Sequence, residues 1–559
     1  MTPVKAVQAA YQRIEAQPLR PVWITLVPRE HALNRATHVP SGAPLGGLTF
    51  ALKDNIDYAG LPTTAGCPAF AYTPEQTAFV VAQLERAGAV AVGKTNLDQF
   101  ATGLVGVRSP YGACASVFDA AYVSGGSSSG SAVAVARGWV DFALGTDTAG
   151  SGRVPAAFNN LIGLKPTRGL LSGSGVVPAC RSLDCVSIFT RDIATARRVF
   201  AAAAQFDAAD RYARRYQPAG FPWASTRFRF GYLPEPQREF FGDTEAAKLY
   251  AASLEKLAAA GGEGVEIDYT HFREAAQLLY AGPWVAERRA ALGRFLDDHP
   301  EDLHPTVRAI IQGADRYRAV DAFEAAYRLA ACARRTEATW SRVDFLALPT
   351  TGTIYRIADV EAEPVQLNTN LGYYTNFVNL LDLAALAVPA GFRPNGLPFG
   401  ITLIAPAQAD DALLNVGARY LGEGAVHPAP GCVTLSVVGA HLTGMPLNHE
   451  LTSRGARLLR TTKTAPDYRL YHLANTTPPK PGLRRTPGFS GPGIEVEVWS
   501  LTAAAFGDFV AHVPAPMGIG TVTLADGSDV KGFLCEAFAL EGARDITEFG
   551  GWRAYRNAR

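Results

Sequence analysis

Short apolar runs separated by polar, glycine-rich turns mark the first part of the chain. Residues 48–52 (LTFAL) predict a strand, as do residues 89–92, which follow a helical stretch over 75–86. A third strand is expected over 140–145, after an Ala/Val-rich helix starting near Gly130. Strand and helix in alternation argue for an α/β core. From 206 to 345 the pattern turns mostly helical, rich in Ala, Leu, Arg and Glu, with a turn around Gly261 and Gly262. Apolar strands return at 345–348, 384–388 and 401–404, the last two parted by PAGFRPNGLPFG, a loop by composition. The stretch GEGAVHPAPGC then reads as a linker, residues 433–438 open a new strand run, and Asp526-Gly527 sits between two apolar runs as a hairpin signal. The resulting boundaries are a first domain over 1–422, a linker over 423–432 and a second domain over 433–559.

Composition narrows the class. A chain of 559 residues exceeds what one core usually organises, and 48% hydrophobic with 18% charged residues describes an ordinary globular protein. A net charge of +1 gives no electrostatic reason to expect a nucleic-acid partner. The seven cysteines are scattered and never in a Cys-x-x-Cys arrangement, which favours reduced thiols and a cytoplasmic protein over a disulfide framework or a metal site. The first twenty residues read as an amphipathic helix rather than a signal peptide, and no run approaches the roughly 20 apolar residues of a membrane span.

Candidate chemistry concentrates in the first domain. The stretch Gly125-Gly126-Ser127-Ser128-Ser129-Gly130-Ser131 has the composition of a flexible linker, but it leads straight into the apolar helix. Glycines and serines at a helix N-terminus present backbone N–H groups suited to an anion or a developing oxyanion. Twenty-four positions beyond Ser127 lies Ser151, flanked by Gly150 and Gly152 and so sterically open. The amides of Thr148, Ala149, Gly150 and Ser151 are candidate oxyanion donors, each worth on the order of 3 kcal/mol. A serine hydroxyl needs a base, and all ten histidines fall before residue 39 or after residue 270. That weakens a Ser–His–Asp triad without excluding one assembled from distant segments. Lysine is the other option when desolvation keeps it neutral, and Lys53 emerges at the end of the first predicted strand, where a lysine is otherwise an ordinary solvated charge.

Lys53 within Leu-Lys-Asp-Asn, Ser127 after Gly125-Gly126, and Ser151 within GTDTAGSGR together closely resemble the amidase signature family over about residues 1 to 420. The resemblance implies the amidase signature fold, a central mixed sheet flanked by helices. It also implies a Ser–Ser–Lys mechanism with Ser151 as nucleophile, Ser127, held by a cis peptide, as bridge, and Lys53 as base. No metal or organic cofactor is implied. One departure is Ala149, where the family often has glycine; a methyl group there restricts the loop but leaves its N–H in place.

Within that family, GTDTAGSGRVPAAFNNLIGLKPTRG, the following GVVPACRSLDCVSIF, and AGPWVAERRAAL look most like the allophanate hydrolases. That likeness implies a small anionic amide substrate, contacted by Tyr280, by Arg288 eight positions later, and by Gly103. On one helix such a pair would share a broad face, although Glu287, Arg288 and Arg289 also read as a charged solvated surface. Arg289 is the reserve candidate. Asp147 and Arg153 are expected to brace the nucleophile loop as an ion pair, and Cys180 and Cys185 to be packing. The tail, from VTLSVVGAHLTGMPLN to PAPMGIGTV, resembles the extra domain of allophanate hydrolases, an α+β unit similar to the γ-glutamylcyclotransferase-like fold. It is expected either to assist decarboxylation of the first product, with His441 and His472 as polar candidates, or to support a homodimer. A functional partnership with a urea carboxylase is also implied. The competing readings are a small-amide hydrolase of other specificity, the amidase subunit of a tRNA-dependent amidotransferase, a non-enzymatic scaffold and a lipid amidase.

Overall fold

The computed structural model describes residues 2–18, 20–217, 227–423, 432–474 and 476–558. The chain gathers into two compact units, one within Met1–Gln217 and Arg229–Glu423, the other holding the C-terminal residues from 432 onward. Of the expected linker, residues 424–431 lie outside the described residues.

The described strands of the first unit are β1 (Trp23–Leu26), β2 (Thr49–Lys53), β3 (Val90–Thr95), β4 (Phe142–Asp147), β5 (Ile162–Lys165), β6 (Cys185–Thr190), β7 (Phe228–Tyr232), β8 (Gly262–Glu266), β9 (Phe345–Pro349), β10 (Leu383–Phe392) and β11 (Pro398–Pro406). They form one mixed sheet in the order β1-β3-β2-β4-β6-β5-β10-β11-β9-β7-β8. β2 runs parallel to both β3 and β4, whereas β4–β6, β6–β5, β5–β10 and β10–β11 are antiparallel. Every residue of β2 and β4 is buried, which is why their middles read as unbroken apolar runs, residues 50–52 and 142–144, rather than alternating ones. Lys53 is the last residue of β2 and shares that burial.

Three expectations need correction. The stretch 206–345 is mostly helical as expected, but two strands the pattern did not indicate, β7 and β8, lie within it. β8 has the sequence GEGVE and is largely exposed at the edge of the sheet, so it carries no apolar run to betray it. Gly262 belongs to that strand, and the turn before it is at Gly261, whose φ is +95°. The proline-rich segment after Val388 is mostly strand, because the β10–β11 ladder continues through Pro389 opposite Gly400 and Phe392 opposite Pro398. Pro398 opens its strand, a position where a missing N–H costs least. Finally, the helix expected over 75–86 begins only at Phe79.

The second unit contains β12 (Cys432–Val437), β13 (Arg457–Lys463), β14 (Tyr468–His472), β15 (Pro481–Arg485), β16 (Glu495–Thr502), β17 (Met517–Thr523), β18 (Asp529–Cys535) and β19 (Arg544–Asp545). These make a five-stranded sheet, β13-β16-β12-β18-β17, and a three-stranded one, β15-β14-β19. β17 and β18 form the hairpin signalled by Asp526-Gly527, with Gly527 at φ +81°. The unit has its own core, including Leu435, Val437, Val496, Trp499 and Leu501. No helix among the described residues is long and apolar enough to cross a membrane.

Candidate active site

The serine run is a fixed structure rather than a linker. Gly125 has φ +73°, and a Cβ on Gly126 would lie 2.1 Å from Asp98 Oδ2, so neither position accepts a side chain. The Gly126–Ser127 peptide is cis. Ser127 O accepts the Asp98 N–H, Ser128 Oγ donates to Thr146 O, and Ser131 Oγ donates to Leu144 O, which ties the run to β4. The Gly130 N–H is spent on Asn96 O at 3.0 Å. The start of the helix Ser129–Ala136 therefore packs against the chain instead of offering that amide to an oxyanion, contrary to expectation.

Lys53 and Ser127 meet. Lys53 Nζ lies 2.7 Å from Ser127 Oγ and 2.7 Å from Thr146 Oγ1, in a fully buried setting. Thr146 is in turn approached by Asn55 Nδ2 at 3.4 Å. Among the described residues no carboxylate comes within ion-pair distance of Lys53, whereas the equally buried Lys94 pairs with Asp54 at 2.9 Å. Burial brings Lys53 down to about 7; Asp98, Asp184 and Asp147 oppose the shift from a distance and Arg288 adds to it. A lysine in that range is neutral often enough to take a proton.

The nucleophile loop is braced by one carboxylate. Asp147 pairs with Arg153 (Nη2 to Oδ1 and Nε to Oδ2, each 2.9 Å) and accepts the amides of Gly150 and Gly152 at 3.0 and 2.9 Å. Burial alone would raise its carboxyl, but the Arg153 guanidinium, Lys165 and the Gly152 amide together outweigh it and the net direction is down. Because the Gly150 N–H is committed to Asp147, that amide leaves the set of oxyanion donors. Among the described residues the amides of Thr148, Ala149 and Ser151 meet no acceptor. Gly150 has φ +140° and a Cβ there would sit 2.6 Å from Thr375 Oγ1, so glycine is required. Ala149 has no such constraint, and its methyl group packs with Leu104, Val154 and Phe158.

Ser151 Oγ donates to Gly103 O at 3.4 Å, and no hydrogen bond joins it to Ser127. Gly103 belongs to a tight segment in which Phe100 and Ala101 take φ +52° and +53°. Arg108 Nη1 donates to Thr102 O, and Asp98 accepts the amides of Val105, Gly106 and Arg108. The same segment receives Arg288, whose Nη1 donates to Thr102 Oγ1 at 2.9 Å and to Ala101 O at 3.4 Å. Arg288 is only 2% exposed, stands 5.4 Å from the Tyr280 ring and donates to Tyr280 Oη at 3.3 Å. Among the described residues no carboxylate lies within 4.0 Å of that guanidinium, so it is a buried cation held by neutral acceptors. Tyr280 and Arg288 do not share a helix: Tyr280 lies in the last turn of Thr270–Ala281, Gly282 is extended, and Arg288 sits on Val285–Leu292. Arg289 faces away and pairs with Asp297 and Asp315.

Two cavities adjoin residues that bond to this centre, one lined by Thr146, Val176 and Asp184, the other by Arg108, Tyr280 and Asn368; Lys53, Ser127, Ser151 and Arg288 line neither. Asp184 accepts a short hydrogen bond from Thr148 Oγ1 and the amides of Ala179 and Cys180. Sequence reasoning missed Thr146, Asp184, Thr102 and Arg108. Thr146 had a signal, since it stands in the quoted GTDTAGSGR stretch on a strand next to that of Lys53. The cysteines are all free, and burial pushes the Cys180 and Cys185 thiols up, as packing residues.

In the second unit the two histidines differ. His441 Nε2 meets Glu450 Oε2 at 2.9 Å, its ring stacks on Phe533, and it lines a cavity with Lys480, His512 and Met517. Burial pushes its imidazole down. His472 Nδ1 meets Tyr555 Oη at 3.0 Å beside Trp552; it is not among the residues lining that cavity, although its cross-strand partner Pro481 is.

Comparison with known proteins gives matching results for both units. Residues 5–414 match the Amidase family model and residues 433–557 the allophanate hydrolase C-terminal domain model. The chain is 46% identical over 581 aligned positions to a urea amidolyase of Saccharomyces cerevisiae, covering 97% of this chain and 32% of that protein. The chain thus spans about a third of the length of the urea amidolyases it matches. The structure of a Kluyveromyces lactis allophanate hydrolase superposes with a TM-score of 0.82 at 43% identity, covering 100% of this chain and 97% of that one. A glutamyl-tRNA(Gln) amidotransferase subunit of Synechococcus elongatus is 31% identical over 451 positions, 75% of this chain and 94% of that protein.

Proposed function

The chain belongs to the amidase family, with an allophanate hydrolase C-terminal domain behind the amidase unit, and on that premise we propose that it hydrolyses allophanate (urea-1-carboxylate) to ammonia and carbon dioxide through N-carboxycarbamate. The observation that carries the substrate class is Arg288, a buried guanidinium without a carboxylate partner, bonded to the segment that also meets Ser151. Burying an unpaired cation costs several kcal/mol, and a substrate carboxylate offsets that cost through a bidentate pair. Tyr280 and Gly103 complete the anion end.

The chemistry runs in two halves. Ser151 turns from Gly103 O toward Ser127 and attacks the amide carbonyl. Its proton passes to Ser127 Oγ as the Ser127 proton passes to Lys53 Nζ. The oxyanion rests on the amides of Thr148, Ala149 and Ser151. Collapse expels ammonia, which takes the proton back along the same path, and leaves the carboxycarbamoyl group on Ser151. Water then attacks that ester, giving its proton to the relay, and N-carboxycarbamate departs.

In the second unit, His441 with Glu450 and Lys480 line the cavity suited to an anionic product, and we assign that cavity to the decarboxylation; His472 supports the Tyr555–Trp552 packing. The protein acts as a cytoplasmic homodimer, without nucleic acid or membrane, alongside a urea carboxylase that supplies its substrate. The test is ammonia release from allophanate by the purified protein and by Ser151→Ala, with malonamide and glutamine for comparison. Turnover of allophanate that is lost in the variant supports the reading. Turnover of glutamine and not of allophanate overturns it in favour of an amidotransferase component.

A further inference from the structure

The reacting groups of the first unit are closed off from solvent: Lys53, Ser127, Ser151 and Arg288 are at most 3% exposed. A substrate therefore reaches them past residues that stand between the site and the surface. The two neighbouring cavities differ in the charge they offer it. The one at Thr146 mixes Asp184 and Asp210 with Arg181 and Arg211. The one at Tyr280, with a volume of about 300 Å³, carries Arg108, Arg316 and Asn368, and its lining contains no acidic residue.

Arg108 is a second buried cation on neutral acceptors. It is 1% exposed, its guanidinium donates to the carbonyls of Thr102, at 3.1 Å, and Pro364, and its Nε meets no acceptor. Burial lowers its pKa, Asp98 opposes that from a distance and Arg288 adds to it. Arg316 is exposed and donates to Tyr317 Oη at 2.7 Å, while the adjacent Asp315 pairs with Arg289 instead. Asn368 Oδ1 accepts the Leu104 N–H at 2.8 Å, and among the described residues its Nδ2 meets no acceptor.

The same residues lead inward. Arg108 and Arg288 both donate to Thr102, one to its carbonyl and the other to its hydroxyl. Tyr280 Oη accepts from Arg288, and Leu104, held by Asn368, follows the Gly103 whose carbonyl accepts from Ser151. We propose that this cavity is an outer oxyanion site, where a small carboxylate is bound by Arg108, Arg316 and Asn368 before it passes Tyr280 to Arg288. Such a site draws an anionic substrate toward a closed centre and disfavours neutral amides before they reach Ser151. A guanidinium buried on neutral acceptors gains a charge-assisted pair when the carboxylate arrives. The inference rests on the reading of Arg288 as the inner carboxylate group and adds a second station ahead of it.

The experiment follows the unfolding midpoint of the full chain against malonamate, the methylene isostere of allophanate, at an ionic strength held constant with chloride. Ser151→Ala is present throughout, so that nothing is turned over. A ligand that binds the folded chain raises the midpoint with its concentration. With Arg288→Gln added, the rise is expected to shrink but persist, because the outer site remains. Adding Arg316→Glu to that protein should weaken the apparent affinity at least about tenfold, and Arg316→Lys less than about threefold. Arg308→Glu, the same charge change on the helix Pro305–Gln312 but outside the cavity, should alter it less than about twofold. A rise abolished by Arg288→Gln overturns the outer site and leaves the inner one standing. A rise indifferent to Arg316→Glu, or weakened as much by Arg308→Glu, is a general charge effect and overturns the outer site too. A rise unchanged by Arg288→Gln but lost with Arg316→Glu supports the outer site and removes Arg288 from the substrate reading. No rise at all overturns both.

Discussion

The burial of Lys53 makes a quantitative prediction about Ser151. An ordinary lysine at pH 7 is neutral in only about 0.03% of molecules, whereas a lysine brought down to about 7 is half neutral. If Lys53 is the base, burial therefore raises the competent fraction roughly 1,500-fold, equivalent to about 4 kcal/mol of barrier at that pH. The perturbation is pH itself, read with a neutral serine reagent such as phenylmethylsulfonyl fluoride so that the anion site plays no part. The second-order inactivation rate should be flat above about pH 8 and fall about tenfold per unit below about pH 6.5. The Arg288 charge helps depress Lys53. Arg288→Gln should accordingly move the midpoint upward and make Ser151 less reactive near pH 7, although the reagent never touches residue 288. A rate that stays level from about pH 5.5 to pH 9, or that breaks only near pH 10, would refute the argument, because Lys53 would then be either not the base or not desolvated. A midpoint near 7 that is unmoved in Arg288→Gln would leave burial as the cause and remove the electrostatic link to the substrate site.

The same burial has a stability cost. Between about 7 and 10.5 the unfolded chain holds a proton on Lys53 that the folded chain lacks, so stability rises with pH through that window, and below it the full penalty of the buried charge remains. Lys53→Met should thus be inactive yet more heat-resistant than wild type at pH 6.5, with the gap narrowing toward pH 9 in scanning fluorimetry; a less stable variant at both pH values would contradict this. Arg288→Gln should raise KM for allophanate roughly a hundredfold, the scale of a charge-assisted pair of 2–3 kcal/mol, while Arg289→Gln changes it less than threefold because Arg289 is spent on Asp297 and Asp315; equal effects would be evidence against the assignment. Asp147→Asn leaves Arg153 uncompensated in a fully buried setting and should cost about 3–5 kcal/mol, visible as a lowered unfolding midpoint. Gly126→Ala places a methyl group 2.1 Å from Asp98 Oδ2 and should abolish turnover, with the loss read on correctly folded protein by circular dichroism.

The parts of this chain legible in advance are those where a local pattern and the fold demand the same thing. β2 and β4 read as strands because burial on both faces leaves apolar runs at 50–52 and 142–144, and each strand ends on a buried charge, Lys53 and Asp147. β8 was invisible because an exposed edge strand needs no apolar face. Ladders do not need favourable residues either, which is how β10 and β11 run on through a proline-rich segment. The site divides along the same line. Ser127 and Ser151 carry glycines that the backbone requires, at Gly126 and Gly150, and that requirement writes itself into sequence. Arg108 and Asp98 hold the segment around Gly103 by donating to and accepting from backbone groups. Such bonds constrain position rather than residue pattern, and no periodicity exposes them. Arg288 shows the limit most clearly. On the sequence it is one of three adjacent charges, and spacing put it on the same helix as Tyr280. Only the break at Gly282 turns it inward, and only burial without a carboxylate separates it from Arg289. What distinguishes a substrate-binding arginine from a surface one is therefore the partner it lacks, a property of the folded site that a single sequence does not carry.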